Sequence, residues 1–489
     1  MKAYLVIDIG TSSMRGIVYD ELYSEISRVT VKTQPLYHGD VVEQEVSSWD
    51  DGIDEILKGI ATIINGKSVL LSGVFLTSQR SSLICLDKNF KPLTPAIMWQ
   101  DKRANKVIKK YVDKEELFID RTGSRLNPVY LGSKIIYIKE EFPEVYEATY
   151  KFASIADYIR YKMTGKLATD YSYASRTSLF NIYNNNWDET ILSMMGIDER
   201  KLCEIEPVGK TGNSVLLEIS RKYHLGNEVP FISCGGDQQC SAVGMGLFKP
   251  GTLSLTLGSG GFLLSPTNNV VMSNVINFNY HSIPEMYLAE GIIISVASLI
   301  NYFYRTFYFD LEEQEFYKLI SDILNENKYT DVIHFPYYQG RGTPDWNNEA
   351  KGAYFNLTFA TNREEMLLSV IESIGFEISK NISKFEQILG LSIKQINVAG
   401  GIANNNQIIQ LLSDITGYKF IKMGNTDSTA LGALLVGLNA LDKDFNIEHS
   451  FENIFKDYNT SFFSPRKKNV NYYNRKMSEW DRLYSTIYG

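Results

Sequence analysis

Apolar residues recur along this chain with two different periods. In "TNREEMLLSVIESIGFEISKNISKFEQILG", Leu367, Ile371, Ile374, Ile378, Ile382, Phe385 and Leu389 fall three or four residues apart, the spacing of one helix face. Thr361 and Glu364 are placed as a capping box and Gly390 as the C-terminal stop. The stretch predicts a helix packed on a core. The other pattern is short, β-branched runs: "YLVIDI", "GIVYD", "VPFISC", "TLSLTL" and "INVAG". Helical patterns alternate with these strand-like runs, which predicts an α/β fold. The longest apolar stretch, near Gly291–Ile300, is about half of the roughly 18 residues a membrane span needs. It reads as a buried strand running into a helix.

One arrangement occurs twice. A strand, a turn of glycine and hydroxyl residues and a second strand open the chain ("VIDIGTSSMRGIVY"). They recur midway as "GTLSLTLGSGGFLL", Gly251–Leu264. Mixed α/β sequence follows each. This predicts two domains of related architecture, residues 1–248 and 249–489, meeting near Lys249-Pro250 with a ligand cleft between them.

Composition narrows the partners. A length of 489 residues supports two or three domains with ample core. The net charge of -8 argues against a nucleic-acid or anionic-membrane surface as the main partner. Cys85, Cys203, Cys234 and Cys240 form no CxxC pair, which favours reduced, buried thiols in a cytoplasmic protein. The five histidines are scattered and show no metal-ligand spacing. The N-terminus enters a strand almost at once, with no basic-then-apolar leader.

Four stretches carry candidate chemistry. In the opening turn, Thr11, Ser12 and Ser13 offer hydroxyls and backbone N–H groups of the kind a polyphosphate needs. Asp8, at the strand end, is placed to hold Mg²⁺ through its waters. An ordinary hairpin explains the same residues. The second turn is Gly258, Ser259, Gly260 and Gly261. Two such turns facing each other across a cleft would grip a nucleotide's phosphates from both sides. In the third stretch, "VPFISCGGDQQCSAVGMG", Asp237 is either a helix N-cap or a general base with glycines leaving room for a substrate hydroxyl. The fourth, "INVAGGIANNNQIIQ", ends a strand at Gly400-Gly401 before a helix. Asn404 and Asn405 there are placed to read a base or to cap the helix.

In this order, these pieces resemble the FGGY family of carbohydrate kinases over nearly the whole chain. "DIGTSSMR" is similar to the family's D-x-G-T-x-x-x-R phosphate loop, and "VVEQEVSSW" to V-E-Q-x-x-x-x-W. "PAIMWQDKRA" resembles W-x-D-x-R, and "LATDYSYASRTSLFNI" resembles T-D-x-S-x-A-S-x-T-x-L-F. "FPYYQGRGTPDWN" is similar to L-P-Y-x-x-G-E-R-x-P-x-W, and "TDSTALGALLVG" to E-x-T-A-L-G-A. The resemblance implies two actin-like domains on ribonuclease-H-like cores, with ATP and sugar in the cleft. It places Asp8, Thr11, Ser12, Ser13 and Arg15 on the first phosphate loop. Ser259, between Gly258 and Gly260, falls on the second; Gly401 and Asn405 fall on the nucleotide site, with Gly400 and Asn404 adjacent. Asp237 falls on the catalytic base. Gln79, Arg80, Asp101, Gln238 and Phe262 are the candidates for the sugar pocket.

The departures gather at the sugar. Gln79-Arg80 resembles the Gln-Arg pair of glycerol kinases, but Ser81 stands where a glutamate follows there. Val129 stands where those enzymes carry tyrosine, and xylulokinases carry Met-His where this chain has Arg80-Ser81. Elsewhere, "GRG" at Gly340–Gly342 replaces G-E-R, and Tyr137 replaces a tryptophan after Lys134. The expected partners are ATP with Mg²⁺ and a small sugar or polyol: a ketopentose, a sugar alcohol or a glycerol-like triol. A homodimer is the assembly considered, with no nucleic acid and no membrane. The alternatives are an autoinducer-type dihydroxy-dione kinase, or a non-kinase actin-like ATPase or sugar-binding regulator.

Overall fold

The computed structural model describes residues 1–67, 69–424, 427–456 and 460–488. Thr426, which opens the "TDSTALGA" stretch, lies outside them.

The first sheet comprises β1 (Lys2–Ile9), β2 (Ser13–Asp20), β3 (Glu25–Lys32), β4 (Leu70–Ser78) and β5 (Phe231–Gly236), in the order β5-β4-β1-β2-β3. β1, β2 and β3 form an antiparallel meander, whereas β4 and β5 run parallel to β1. The apolar residues of β1 are buried on both faces, which explains a run with no polar alternation before Asp8. Helix α1 (Ser47–Lys67) covers one face through Trp49, Ile53, Ile56 and Ile60.

The same plan recurs in the second sheet. Its strands are β6 (Thr252–Leu257), β7 (Gly261–Thr267), β8 (Asn277–Tyr280), β9 (Tyr287–Ile293), β10 (Gln395–Ala399), β11 (Phe420–Lys422) and β12 (Ser461–Phe463), in the order β8-β9-β7-β6-β10-β11-β12. β6 and β7 form the opening hairpin, and β10 and β11 run parallel to β6.

The two halves are not separate cores. Helix α2 (Asp237–Gly244) follows β5, yet Ala242 packs with Leu264, Leu288 and Ala399 of the second sheet. Later in the chain come α3 (Glu313–Asn325), α4 (Arg363–Leu389), α5 (Asn406–Thr416), α6 (Ser428–Leu441) and α7 (Lys467–Tyr488). Helix α6 packs back on the first sheet, where Leu431, Leu434, Leu435 and Leu438 meet Val6, Phe75 and Ile232. α2 and α6 cross at two glycines. A Cβ on Gly244 would lie 1.9 Å from the Ser428 carbonyl oxygen, and one on Gly432 would lie 1.7 Å from that of Cys240. Only a residue without a side chain permits that approach.

The long amphipathic helix is α4, but its cap is shifted by one residue. Asn362 accepts from the Glu365 N–H at 3.0 Å, and Glu365 answers the Asn362 N–H at 3.0 Å. Thr361 and Glu364 do not form the box expected of them, because the Thr361 hydroxyl already accepts from the Thr358 N–H. Gly390 closes the helix in the left-handed conformation. Among the described residues, no helix is long and apolar enough to cross a membrane. All four cysteines are buried and free.

Candidate active site

Parallel pairing sets three strand ends side by side. Ile9 pairs with Ser78, and Ser78 with Gly236. The first turn, Gln79-Arg80 and Asp237 therefore emerge on one rim, at the carboxyl ends where α/β sheets bind ligands. Asp237 is the first residue of α2. Gly236 holds the cap position with no side-chain bond, so Asp237 is not the N-cap. Its Oδ1 accepts from the Gln238 N–H at 2.7 Å, and its side chain, 28% exposed, faces a cavity.

The first turn is tied down by its carbonyls. Gln79 Nε2 donates to the Gly10 carbonyl at 3.2 Å, the Thr33 hydroxyl to that of Thr11 at 3.2 Å, and the Thr33 N–H to that of Ser12 at 3.1 Å. Among the described residues, no acceptor pairs with the backbone N–H groups of Thr11 or Ser12. The turn thus presents donors, which suits an anion. Ser13 opens β2.

Asp8 is almost fully buried and pairs with Arg15, whose other arm lies 3.0 Å from Asp427. Arg28 reaches the same Asp427 oxygen at 2.6 Å. Burial pushes the Asp8 carboxyl up to about 6, with Arg15 opposing and Asp237 adding to the rise. Arg15 therefore sits between two carboxylates, at the edge of the turn. Among the described residues, no group of three His, Cys, Asp or Glu forms a metal cage. A single carboxylate beside a turn that presents donors fits Mg²⁺, which is commonly held by one or two carboxylates, substrate phosphates and water, although Arg15 already pairs with this one.

Beside Asp237 lies a cavity of about 370 Å³ that Thr11, Gln79, Arg80, Gln238 and Phe262 also line. Phe262 pairs with Ile292 across β7 and β9, and both face the cavity with Glu290. The Thr11 hydroxyl accepts from Trp99 Nε1 at 3.0 Å. Asp101 is absent from this wall. Its carboxylate accepts from the Val42 N–H at 2.8 Å and the Arg103 N–H at 3.0 Å, and it pairs with the Arg103 side chain. Local structure occupies it.

The cavity also holds charges that no local motif flagged. Glu290 Oε2 accepts from Arg176 Nη1 at 3.0 Å and from Asn279 Nδ2 at 3.1 Å. Arg176 Nη1 also donates to the Tyr130 hydroxyl at 3.0 Å. Arg80 lies between carboxylates, 3.5 Å from Asp237 and 3.5 Å from Glu290. Burial pushes the Asp237 carboxyl up, against the pull of Arg80. Burial also acts to raise Glu290, but Arg176 and Arg80 outweigh it and hold that carboxyl down. Lys134 Nζ donates to the Val129 carbonyl behind the wall, and burial lowers its ammonium to about 7. Ser81 is left-handed at φ 68°, and its buried hydroxyl has no partner among the described residues.

The second half supplies the other rim. Gly258, Ser259 and Gly260 join β6 to β7, and the Gly258 and Ser259 carbonyls accept from the Ala297 and Val296 N–H groups at 3.0 and 2.8 Å. The adjacent strand β10 ends at Ala399, just before Gly400, whose φ is 99°; a Cβ on Gly400 would lie 2.4 Å from the Leu257 carbonyl oxygen. Gly401–Asn404 form a 3-10 turn, and α5 begins only at Asn406. Gly401 and Asn404 line two adjoining cavities of about 440 and 280 Å³, the larger walled also by Tyr317, Lys318 and Ser321 of α3. Asn405 caps α5, accepting from the Gln407 and Ile408 N–H groups at 3.0 and 3.1 Å, and donates to Ser321 at 2.9 Å. Its amide is thereby fixed in place, and both Asn404 and Asn405 line the larger cavity.

Comparison with known proteins agrees with this organisation. The model of the "FGGY family of carbohydrate kinases, N-terminal domain" matches residues 3–244, and that of its C-terminal domain matches residues 253–441. The chain is 27% identical to the xylulose kinase of Lactococcus lactis over 99% of its length and 97% of that protein. It is 30% identical to the same organism's glycerol kinase over 89% of each. The crystal structure of a ligand-bound xylulose kinase from Lactobacillus acidophilus superposes with a TM-score of 0.90 at 21% identity, covering 100% and 98% of the two chains. Plasmodium falciparum glycerol kinase with ADP gives 0.91 at 23% identity, covering 100% and 99%. The fold is the pair of actin-like, ribonuclease-H-like domains expected. The chain belongs to the FGGY family of carbohydrate kinases, phosphotransferases with an alcohol group as acceptor.

Proposed function

We propose that this kinase transfers the γ-phosphoryl group of ATP to a primary hydroxyl of a small sugar or polyol, and that Asp237 is the general base. The observation that carries the reading is the uncapped Asp237 carboxylate, aimed into the 370 Å³ cavity on the rim it shares with the first phosphate turn. Phosphoryl transfer needs positioning and charge stabilisation more than covalent help. As the hydroxyl oxygen attacks the γ-phosphorus, Asp237 takes its proton; the bond to the bridging oxygen breaks and ADP leaves with that electron pair. The backbone N–H groups of Thr11 and Ser12 meet developing charge on the phosphoryl oxygens. Gly258–Gly260 line the tail from the opposite rim, and Gly401, Asn404 and Asn405 border the nucleoside. Asp8 is the residue that would hold Mg²⁺. The ion, when bound, neutralises phosphate oxygens.

In the sugar cavity, Arg80 and Gln238 direct donors at substrate oxygens, and Phe262 covers the carbon skeleton. The cavity has Ser81 and Val129 in its wall where glycerol kinases carry larger side chains. That favours acceptors longer than a triol, such as a ketopentose or sugar alcohol. The reduced cysteines support a cytoplasmic enzyme. A coupled ATP-to-ADP assay over polyols, ketoses and sugar acids tests the reading. ADP release should depend on one class of acceptor. A rate indifferent to every acceptor would overturn it in favour of an actin-like ATPase.

A further inference from the structure

Glu290 belongs to β9 of the second sheet, yet guanidinium groups of the first half surround its carboxylate. Arg176 approaches from beside Tyr130, its guanidinium carbon 4.5 Å from that ring's centroid. Arg80 approaches from the end of β4. The side chains of Arg80, Arg176 and Glu290 are 9%, 9% and 2% exposed, so these charges interact with little screening. Arg80 makes a short bond with neither Asp237 nor Glu290; at 3.5 Å from each it is shared, beyond normal hydrogen-bond length on both sides. Its position therefore reflects a balance between two carboxylates, one on each side of the cleft.

We propose that Glu290 is a positioning residue, which holds Arg80 off Asp237 and keeps that guanidinium free to meet substrate oxygens. The inference rests on reading Asp237 as the base. The groups facing Asp237 are Arg80 from the end of β4, Arg176 and Tyr173 from the segment around Tyr171–Ala174, Glu290 from β9 and Asp8 from β1. Asp427, at the start of α6, is tied to Arg15 and Arg28. Glu290 opposes ionisation of Asp237, whereas Arg80 and Arg176 favour it. Without the Glu290 charge, Arg80 has one carboxylate left to lean on, and the base ionises more readily. Because Glu290 is delivered by the other half, the base is fully tuned only when the halves are together.

Glu290→Gln in the full chain tests this, assayed with whichever of glycerol, xylulose and gluconate the wild type turns over fastest. Expected are a kcat lowered about tenfold or more, an acid limb of kcat/KM moved to lower pH, and a KM for ATP within about twofold of wild type. A crystal structure of the variant should show Arg80 closed to about 2.9 Å from Asp237. If the Gln variant does not fold, Glu290→Asp, which withdraws the charge by one methylene, should move the same limb in the same direction. An unmoved acid limb, or Arg80 unmoved in the crystal, overturns the proposal. Asp237→Asn separates the two readings. If it retains turnover, the base assignment is wrong; if it is inactive while Glu290→Gln leaves the acid limb in place, only the Glu290 role fails.

Discussion

Arg15 Nη1 lies 3.0 Å from Asp427, and the other arm of the same guanidinium holds Asp8. One side chain thus ties the strand before the first turn to the start of α6, a helix from the far end of the chain. Arg15→Met would leave Asp8 buried without its counter-charge. A fully buried pair broken this way costs about 3–5 kcal/mol. Arg15 is 29% exposed, so water offsets part of that loss, and about 1–3 kcal/mol is expected at pH 8. Urea unfolding of the two proteins measures it, and identical midpoints would remove Arg15 from the account of stability.

Asp8 also predicts a pH dependence. Its folded carboxyl is raised from 3.8 to about 6 by burial, so between those values the folded state binds a proton that the unfolded state has released. The stability Asp8 contributes is therefore fully present below pH 3.8 and lost as pH rises through about 6. In Asp8→Asn that slope should vanish. The buried Asp157 is also raised to about 6, but it is common to both proteins and cancels in their difference. Denaturation midpoints measured from pH 4 to 7 give the answer; parallel curves would contradict it.

For the chemistry, Asp237→Asn should keep the fold and nucleotide binding while lowering turnover by roughly 10²–10⁴-fold, the scale of a general base. The asparagine retains the acceptor for the Gln238 N–H, so α2 should be unaffected. Steady-state kinetics with near-normal kcat would assign the base elsewhere.

Ser81 invites a change that separates stability from recognition. It sits at φ 68° with a buried, unpartnered hydroxyl in the cavity wall. Ser81→Gly relieves the left-handed backbone and should raise stability by about 1 kcal/mol. If that strain persists because the hydroxyl meets substrate, the same variant should show a higher KM for the acceptor and an unchanged KM for ATP. A less stable Gly variant would show that Ser81 is unstrained.

What the sequence made legible was local. Strand, turn and strand occur within "VIDIGTSSMRGIVY", and the position of Asp237 after two glycines is visible by eye. Glu290, Arg176 and Tyr130 were not legible as one cluster, because they arrive from separate segments and share no spacing. Only the pairing of β7 with β9 and the folding of the two halves together bring them to Arg80. Asp101 shows the opposite error. Its motif is intact, but the Val42 N–H and the backbone and side chain of Arg103 occupy its carboxylate. The exchange of helices was hidden for the same reason. The apolar run of α6 reads as a core helix, and nothing in it says that the core belongs to the other sheet.

The glycine crossing of α2 and α6 makes a short lever. Asp237 stands seven residues ahead of Gly244 on the same helix, about 10 Å along the axis. A rotation of about 10° at that fulcrum would swing the carboxylate roughly 2 Å, the difference between contact and no contact with a hydroxyl proton. Backbone bearing on backbone leaves no rotamers to absorb such a rotation, so movement between the halves is transmitted to the Asp237 carboxylate with almost no slack.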